Sequence, residues 1–424
     1  MWADTEIRRD LIRGWRDEAV ELWREHYDEL PEVDPEDDDD GLLFDLWCRR
    51  KKATWTELAV AAMDLELARE IDEICDRTAA EVMIRSREGD FDEVTTMLER
   101  AESIDDPQIR AKVITGICFG IGTPAWALDL GLMGRALSIP SRFSEHDWAV
   151  AATVETLGRP DLLRWVAPSH AGLVMACLAN HTGDPDICRD ALERAFLESD
   201  LSQIRRSIEA IGKTGDLALN EWTMRKTLAR ESAEERAHCF AILAGGPLED
   251  WAREFAISTC DEIDEDAWPE TFGSLRSVFA TSWRRPGWAR EIPLAELAIT
   301  CRDPAVTERM LDREVRDLTL AAVGIHRGDA EPIRRLRDPH LRAQAHIEYA
   351  RLHRDETAIF EAGNDLKKVN RDEDYLDTLI RMLGVFANLR PPRAHPESET
   401  VPAKPRRRRR RRVNPDQLSL PLEI

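Results

Sequence analysis

Residues 183–217 read GDPDICRDALERAFLESDLSQIRRSIEAIGKTGDL, and this stretch decides the predicted fold. Gly-Asp stands at both ends, as Gly183-Asp184 and Gly215-Asp216. Glycine readily adopts the left-handed conformation that ends a helix, and the aspartate after it can accept N–H groups at the start of the next helix. Pro185 suits the first turn of a helix. The stretch therefore predicts helical segments separated by short capped junctions.

The same punctuation recurs along the chain at nearly constant spacing. An arginine follows the glycine at almost the same distance in three segments: Gly89 to Arg110, Gly215 to Arg236, and Gly183 to Arg205. The starts at Gly183, Gly215 and Gly246 are also almost evenly spaced. Asp-Pro, which supplies a capping carboxylate and a first-turn proline, occurs at Asp106-Pro107, Asp184-Pro185, Asp303-Pro304 and Asp338-Pro339. A degenerate two-helix unit that recurs at such a step is typical of a helical repeat protein.

These units resemble the broad class of TPR-like and HEAT-like helical repeats, without the full consensus of either. The resemblance implies an all-α fold, a right-handed helical-hairpin repeat solenoid. It implies an architecture and says little about function.

The predicted domain organisation has four parts. Residues 1–30 form an amphipathic helix, with apolar residues three and four apart up to Pro31. Residues 31–41 form an acidic linker, and residues 42–388 form the helical repeat domain. Residues 389–424 form a disordered arginine-rich tail, because they contain many prolines and lack a helical apolar period.

Charge is unevenly divided between body and tail. The chain has a formal net charge of −23, and residues 391–424 contribute +5, which leaves −28 for residues 1–390. A body of this charge does not attract nucleic acid through its average field. The eight cysteines form no CxxC pair, and no apolar run approaches the length of a membrane span. We therefore expect reduced cysteines, a cytoplasmic location and no membrane partner.

The last eight residues of the sequence, 417–424, read QLSLPLEI. In an extended segment, Leu418, Leu420 and Leu422 point to one side, and Pro421 favours the extended backbone. This segment resembles the short peptide by which bacterial replication and repair proteins bind the ring-shaped β sliding clamp. The resemblance implies that Gln417 orients the peptide while the three leucines fill an apolar groove. Folding of this apolar end onto the body is the alternative.

Seven consecutive arginines, Arg406 to Arg412, precede that segment: Arg406, Arg407, Arg408, Arg409, Arg410, Arg411 and Arg412. Such a run can neutralise phosphates of DNA or RNA without reading sequence. Each phosphate contact should lower the logarithm of the binding constant by about 0.7–0.9 for a tenfold rise in salt concentration. A solvated run, or one that folds onto the acidic body, is the alternative.

Motifs for catalysis are weak. The chain has no GxxxxGK[ST], GxGxxG, GxSxG or HExxH motif. His340, His346 and His353 share a helical stretch but lack a nearby ligand pattern, so we predict neither a metal site nor a cofactor. Most of the 13 tryptophans are predicted to pack in the core, and the loop Trp283–Trp288 is a weaker candidate for binding bases or a partner.

Three functional hypotheses follow. The first is a noncatalytic adaptor that binds a second, unidentified protein and is tethered to the bacterial sliding clamp on DNA. The second is a cytoplasmic helical-repeat scaffold unrelated to the clamp. The third is a helical enzyme whose site carries no familiar motif.

Overall fold

The computed structural model describes residues 5–27, 38–198, 201–264, 267, 269, 275–279, 287–369 and 373–389. Regular structure in these ranges is helical, and they contain no strand. The all-α prediction is therefore confirmed for the described part of the chain. No helix in these ranges combines the length and the apolar character needed to cross a membrane.

The helices follow one another with short connections. The first half of the chain contains α1 (Thr5–Tyr27), α2 (Asp38–Ala62), α3 (Leu65–Arg69), α4 (Ile74–Glu88), α5 (Phe91–Glu102), α6 (Pro107–Gly120), α7 (Pro124–Asp129), α8 (Leu132–Ser138), α9 (Ser144–Leu157), the 3-10 helix η1 (Pro160–Trp165), α10 (Pro168–Thr182), α11 (Pro185–Glu198) and α12 (Leu201–Thr214). The second half contains α13 (Leu217–Leu228), α14 (Ala233–Leu243), α15 (Glu249–Cys260), α16 (Leu275–Val278), α17 (Trp288–Thr300), the 3-10 helix η2 (Pro304–Arg309), α18 (Arg313–Arg327), α19 (Glu331–Arg334), α20 (Pro339–His353), α21 (Glu356–Leu366) and α22 (Glu373–Asn388).

The predicted end of the acidic linker, at residue 41, and the predicted end of the helical repeat domain, at residue 388, can be compared with the structure. Helix α2 begins at Asp38, so residues 38–41 of the predicted acidic linker are helical. Acidic residues are favourable in the first turn of a helix because they face the positive end of its dipole. The chain divides by its contacts into residues 1–390 and residues 391–424, and the described helices belong to the first unit.

One junction recurs seven times between the described helices. A residue with positive φ ends one helix, and an aspartate directly after it accepts a hydrogen bond from a backbone N–H two or three residues later. The seven pairs are Met63-Asp64, Gly89-Asp90, Gly183-Asp184, Gly215-Asp216, Arg302-Asp303, Gly328-Asp329 and Arg354-Asp355. The Gly-Asp interpretation is confirmed at Gly89, Gly183 and Gly215, and three further junctions use a residue other than glycine.

The spacing of these junctions is not uniform. The steps from Met63 to Gly89, from Arg302 to Gly328 and from Gly328 to Arg354 are equal to one another, but each is shorter than the step from Gly183 to Gly215. The difference lies in the helix that follows the aspartate. It has 14 residues in α11 but only 5 in α3, 6 in η2 and 4 in α19. The single period predicted from sequence therefore describes only part of the chain.

A second recurring feature is an arginine that fastens the next helix to the end of the previous one. Each of these arginines stands four residues after an N-cap residue and donates to the carbonyl oxygen six residues before it. The four bonds run from Arg77 to Ile71 (3.3 Å), from Arg110 to Ile104 (3.3 Å), from Arg236 to Arg230 (2.9 Å) and from Arg342 to Leu336 (2.6 Å). The alignment of Arg110 with Arg236 from sequence thus corresponds to a shared contact.

Some of the described helices form a closed circuit of contacts within residues 1–390. Each helix in the following order packs against the next: α2, α4, α6, α9, α10, α12, α14, α17, α18, α20 and α22. Helix α22 then packs against α2 and α1. The buried side chains form three clusters, and one of them combines residues 19–84 with residues 343–386.

Specific side chains join the two ends of this circuit. The Trp15 ring lies 5.4 Å from Phe386, between centroids, in an edge-to-face arrangement. The Tyr375 hydroxyl donates to Glu18 at 2.8 Å, and Arg50 pairs with Asp377 at 3.1 Å. The first and last described helices are therefore neighbours.

Candidate functional site

The residues proposed from sequence for clamp and nucleic-acid binding lie outside the described residues. They are Gln417, Leu418, Leu420, Pro421 and Leu422, and the arginines 406–412. The candidate loop Trp283–Trp288 is described only at Gly287 and Trp288, and the Trp288 side chain is buried. The structure therefore directs attention to other surfaces of the body.

Charged side chains from α12, α17, α18, α20 and α22 form a largely buried seam. Arg205 on α12 donates to Glu209 at 2.8 Å and to Glu296 on α17 at 3.2 Å. Glu296 is only 2% exposed. Burial works to lower the pKa of Arg205, but Glu296 and Glu209 raise it, and the net shift is upward. Arg205 thus links two helices as a permanent cation.

The seam continues across α18, α20 and α22. Burial lowers the pKa of His326 on α18, while the carboxylates of Glu348 and Glu296 oppose that shift. Glu348, 3% exposed, accepts from Arg381 on α22 at 3.0 Å. Arg381 also donates to the carbonyl oxygen of Val278 at 3.0 Å. The seam therefore consists of two ion pairs, Arg205 with Glu296 and Arg381 with Glu348, whose carboxylates both act on the pKa of His326.

A cavity of about 380 Å³ opens onto the seam. Its lining side chains come from α12, α14, α17 and α18 and from the turns that follow them: Arg205, Glu209, Gly212, Lys213, Ile242, Gly245, Glu296, Ile299, Thr300, Arg302 and His326. A Cβ atom on Gly245 would lie 2.8 Å from the Thr300 methyl carbon, so glycine keeps this wall open. The lining offers cationic side chains, anionic side chains and hydrogen-bonding groups, which suits the recognition of a polar ligand group.

An exposed apolar surface lies farther along the same circuit. Phe119 on α6, Trp148 on α9 and Leu173 on α10 are 40%, 47% and 38% exposed. Trp148 lies 6.2 Å from Phe119 and 4.3 Å from His170, between ring centroids. We call Phe119, Trp148, His170 and Leu173 the aromatic surface.

The aromatic surface borders a small polar group on α9, α10 and α12. Cys177 stands one turn after Leu173 on α10, and Arg206 of α12 approaches its sulfur to 3.8 Å. Burial raises the pKa of the Cys177 thiol to about 11, with Glu155 acting in the same direction. The thiol therefore stays protonated at neutral pH and behaves as part of the wall.

The titratable cluster at the start of α4 has a structural role. Glu73, Cys75 and Asp76 lie within 4.8 Å of one another, but Glu73 caps α4 and pairs with Lys112 at 2.9 Å. Burial raises the pKa of Cys75 to about 12.

The histidines of α20 bind different neighbours. His340 contacts the Thr378 hydroxyl at 2.8 Å, His346 lies 3.2 Å from a Glu361 oxygen, and His353 donates to the carbonyl of Ile325 at 2.6 Å. The His340 and His353 rings therefore fasten α20 to α22 and α18.

Sequence reasoning did not find these surfaces. Arg205 was aligned with Arg110 and Arg236, but it pairs with Glu296 instead of a backbone carbonyl. Most of the tryptophans are predicted to pack in the core without a means of telling which, and nearly half of the Trp148 surface is exposed. The available signal was weak, because acidic residues and tryptophans are both abundant in this chain.

No protein-family model matches the chain, and neither a curated protein nor a solved structure matches it significantly.

Proposed function

We propose that this chain is a noncatalytic cytoplasmic adaptor. Its body is a right-handed helical-hairpin repeat solenoid that binds a second protein, and its last residues attach it to the bacterial β sliding clamp. The sequence QLSLPL at residues 417–422 carries this proposal, since it resembles the clamp-binding peptide. The recurring helix junctions of the body support the repeat architecture.

The chemistry of the peptide suits a tether. Burial of Leu418, Leu420 and Leu422 would contribute roughly 1.5–3 kcal/mol each before the cost of ordering the segment. The resulting affinity is on the order of micromolar. Such binding holds a protein at the clamp while allowing exchange.

The arginine run and the body have opposite charge. Arg406–Arg412 would contact DNA phosphates without sequence preference. Residues 1–390 carry −28, so phosphates repel them. About 25 residues between Pro391 and the peptide span up to about 80 Å at 3.1 Å per residue. The body would thus be presented away from the DNA.

The decisive experiment measures binding of the full-length protein, and of a peptide covering Asn414 to Ile424, to the sliding clamp of the same organism. We expect Gln417→Ala with Leu420→Ala to weaken binding by about tenfold or more, because an orienting amide and one buried leucine are lost. Ser419→Ala is the matched control, since that side chain points away from the groove.

Replacement of Arg406–Arg412 by Gln is a second control and should leave binding to the clamp in the absence of DNA nearly unchanged. Clamp binding that is absent, or that survives the double substitution, would leave the clamp-independent scaffold as the better account. The aromatic surface supports that scaffold equally well, because a protein-binding body does not require a clamp.

A further inference from the structure

We propose that the aromatic surface of α6, α9 and α10 is the docking site for a cationic, apolar-containing peptide segment of a partner protein. The proposal rests on the adaptor function and identifies where the second partner binds and what its chemistry is. It is carried by exposed aromatic side chains, their mutual support and the charge around them.

The first observation is the exposure of large apolar side chains on adjacent helices. Phe119, Trp148 and Leu173 come from α6, α9 and α10, which pack consecutively. Leu173 stands three residues after His170, so the two share one face of α10. Contiguous apolar side chains on a protein surface mark interaction sites, because leaving them in water is unfavourable.

The second observation is that the rings support one another. Trp148 meets His170 edge-to-face at an interplanar angle of 74° and meets Phe119 at 47°. A Trp held between two rings loses less side-chain freedom when a partner arrives. Trp is also among the residues that contribute most to binding at protein interfaces. Trp148 is therefore the expected centre of the site.

The third observation concerns the sign of the charge. The titratable groups on α9 within three residues of Trp148 are Glu145, His146 and Asp147, and the His146 ring lies 3.0 Å from the Asp147 carboxylate. Glu155 lies on the same helix near Cys177. Lys112 of α6 is paired with Glu73 at 2.9 Å, and Arg206 of α12 lies against the Cys177 sulfur. The whole of residues 1–390 carries −28. A segment with Arg or Lys beside apolar residues complements both properties, and its cations can stack on indole.

The same charge argues against nucleic acid as the occupant. Bases could stack on Trp148 and Phe119, but the phosphates would meet a strongly acidic body. The cationic peptide is therefore the occupant that the electrostatics favour.

The test measures binding of a fluorescein-labelled peptide of alternating arginine and leucine to the full-length protein by anisotropy at near-physiological salt. Trp148→Ala should weaken binding by about fivefold or more, as expected for a central interface residue. Trp251→Ala is the matched control, since Trp251 is 68% exposed on α15, outside the aromatic surface, and its loss should change affinity by less than about twofold.

Two further arms separate charge from apolar contact. The two peptides are compared in the protein with Arg406–Arg412 replaced by Gln, because the arginine run would attract an acidic peptide. A peptide of alternating glutamate and leucine should then bind at least about tenfold more weakly. Leu173→Ser provides a second variant that does not depend on the fold tolerating the loss of Trp148. Equal effects of Trp148→Ala and Trp251→Ala, or equal binding of the two peptides, would overturn the proposal. So would a monomer-dimer equilibrium that Trp148→Ala abolishes, or, in the protein with Arg406–Arg412 replaced by Gln, tighter binding of single-stranded DNA than of the basic peptide.

Failure here is distinguishable from failure of the clamp proposal. The clamp is absent from this assay, so Gln417→Ala with Leu420→Ala should leave peptide binding unchanged. Conversely, Trp148→Ala should leave clamp binding unchanged.

Discussion

Replacement of Arg342 by methionine tests whether the recurring arginine contacts stabilise the helix pairs. Arg342 donates to the carbonyls of Leu336 at 2.6 Å and Arg337 at 3.0 Å. It also pairs with Asp365 of α21 at 2.9 Å and 3.2 Å. The guanidinium and the carboxylate are both largely buried. Methionine retains much of the packing volume but none of these bonds.

The expected cost follows from what is left behind. Burial acts to raise the pKa of Asp365, but hydrogen bonds from Arg342 and Lys368 lower it, and the net shift is downward. Without Arg342, the buried Asp365 carboxylate keeps one of its two cationic partners, the more exposed Lys368 at 2.8 Å. Loss of hydrogen bonds to a charged group costs about 1.5–3 kcal/mol. The cost stays below about 3–5 kcal/mol, the value for a buried charge left with no partner, because Lys368 remains. We therefore expect Arg342→Met to lower the free energy of unfolding by about 2–3 kcal/mol.

Arg110→Met is the matched comparison at the equivalent position of another unit. Arg110 makes a single bond of 3.3 Å to the carbonyl of Ile104, so its loss should cost about 1 kcal/mol. Urea unfolding of the full-length variants, followed by far-ultraviolet circular dichroism at neutral pH, measures both values. Combining Arg342→Met with Asp365→Asn should cost less than the sum of the two changes. Equal costs for Arg342→Met and Arg110→Met, or additive effects in the double variant, would refute the reasoning.

Two further changes test the junctions and a buried histidine. Arg354→Gly should stabilise the protein by about 0.5–1 kcal/mol in thermal or urea unfolding, because Arg354 has φ 53°. Gly328 occupies the equivalent junction with φ 73°, and a Cβ atom there would lie 3.4 Å from the His353 ring. Gly328→Ala should therefore destabilise the protein. Stabilisation by this change would contradict the shared geometry of the two junctions. Burial, with the nearby Arg205, lowers the pKa of His238 to about 3 from 6.5, so the unfolded chain binds the extra proton between these values. Stability should therefore fall as pH falls through that window, by about 1.4 kcal/mol per pH unit for this group, and a pH series of urea unfolding should show that His238→Gln removes that slope.

The part of the fold that could be predicted from sequence is the part with a local chemical signature. Gly183-Asp184 and Gly215-Asp216 each indicate a helix end followed by a helix start, because glycine tolerates positive φ and aspartate caps the N-terminus of the next helix. Met63, Arg302 and Arg354 occupy the same conformation without glycine, so the units they delimit were not recognised. The helices that follow Met63, Arg302 and Gly328 are also very short, which shortens the step to the next junction and hides the period.

Contacts between distant segments left no such signature. Trp15 and Phe386 meet across almost the whole chain, and neither residue's neighbours in sequence indicate the other. Glu296 and Glu348 resemble many other acidic residues on helices until the tertiary structure buries them beside Arg205 and Arg381. The aromatic surface was hidden for a related reason, since a helix does not reveal from its sequence alone which tryptophan its neighbours leave uncovered.

The contact between α22 and α2 changes how unfolding can begin. In a linear stack of helix pairs, a terminal unit has one neighbour and separates by breaking one interface. In the closed circuit, α2 lies between α4 and α22, so its release breaks two interfaces of the circuit in addition to its contacts with α1 and α3, and every other member likewise has two neighbours in the circuit. The release of the first helix then costs the most free energy, wherever that helix lies in the circuit. Each later helix leaves by breaking only one interface of the circuit. Within the described helices, closure replaces fraying from the ends with cooperative loss of the whole array.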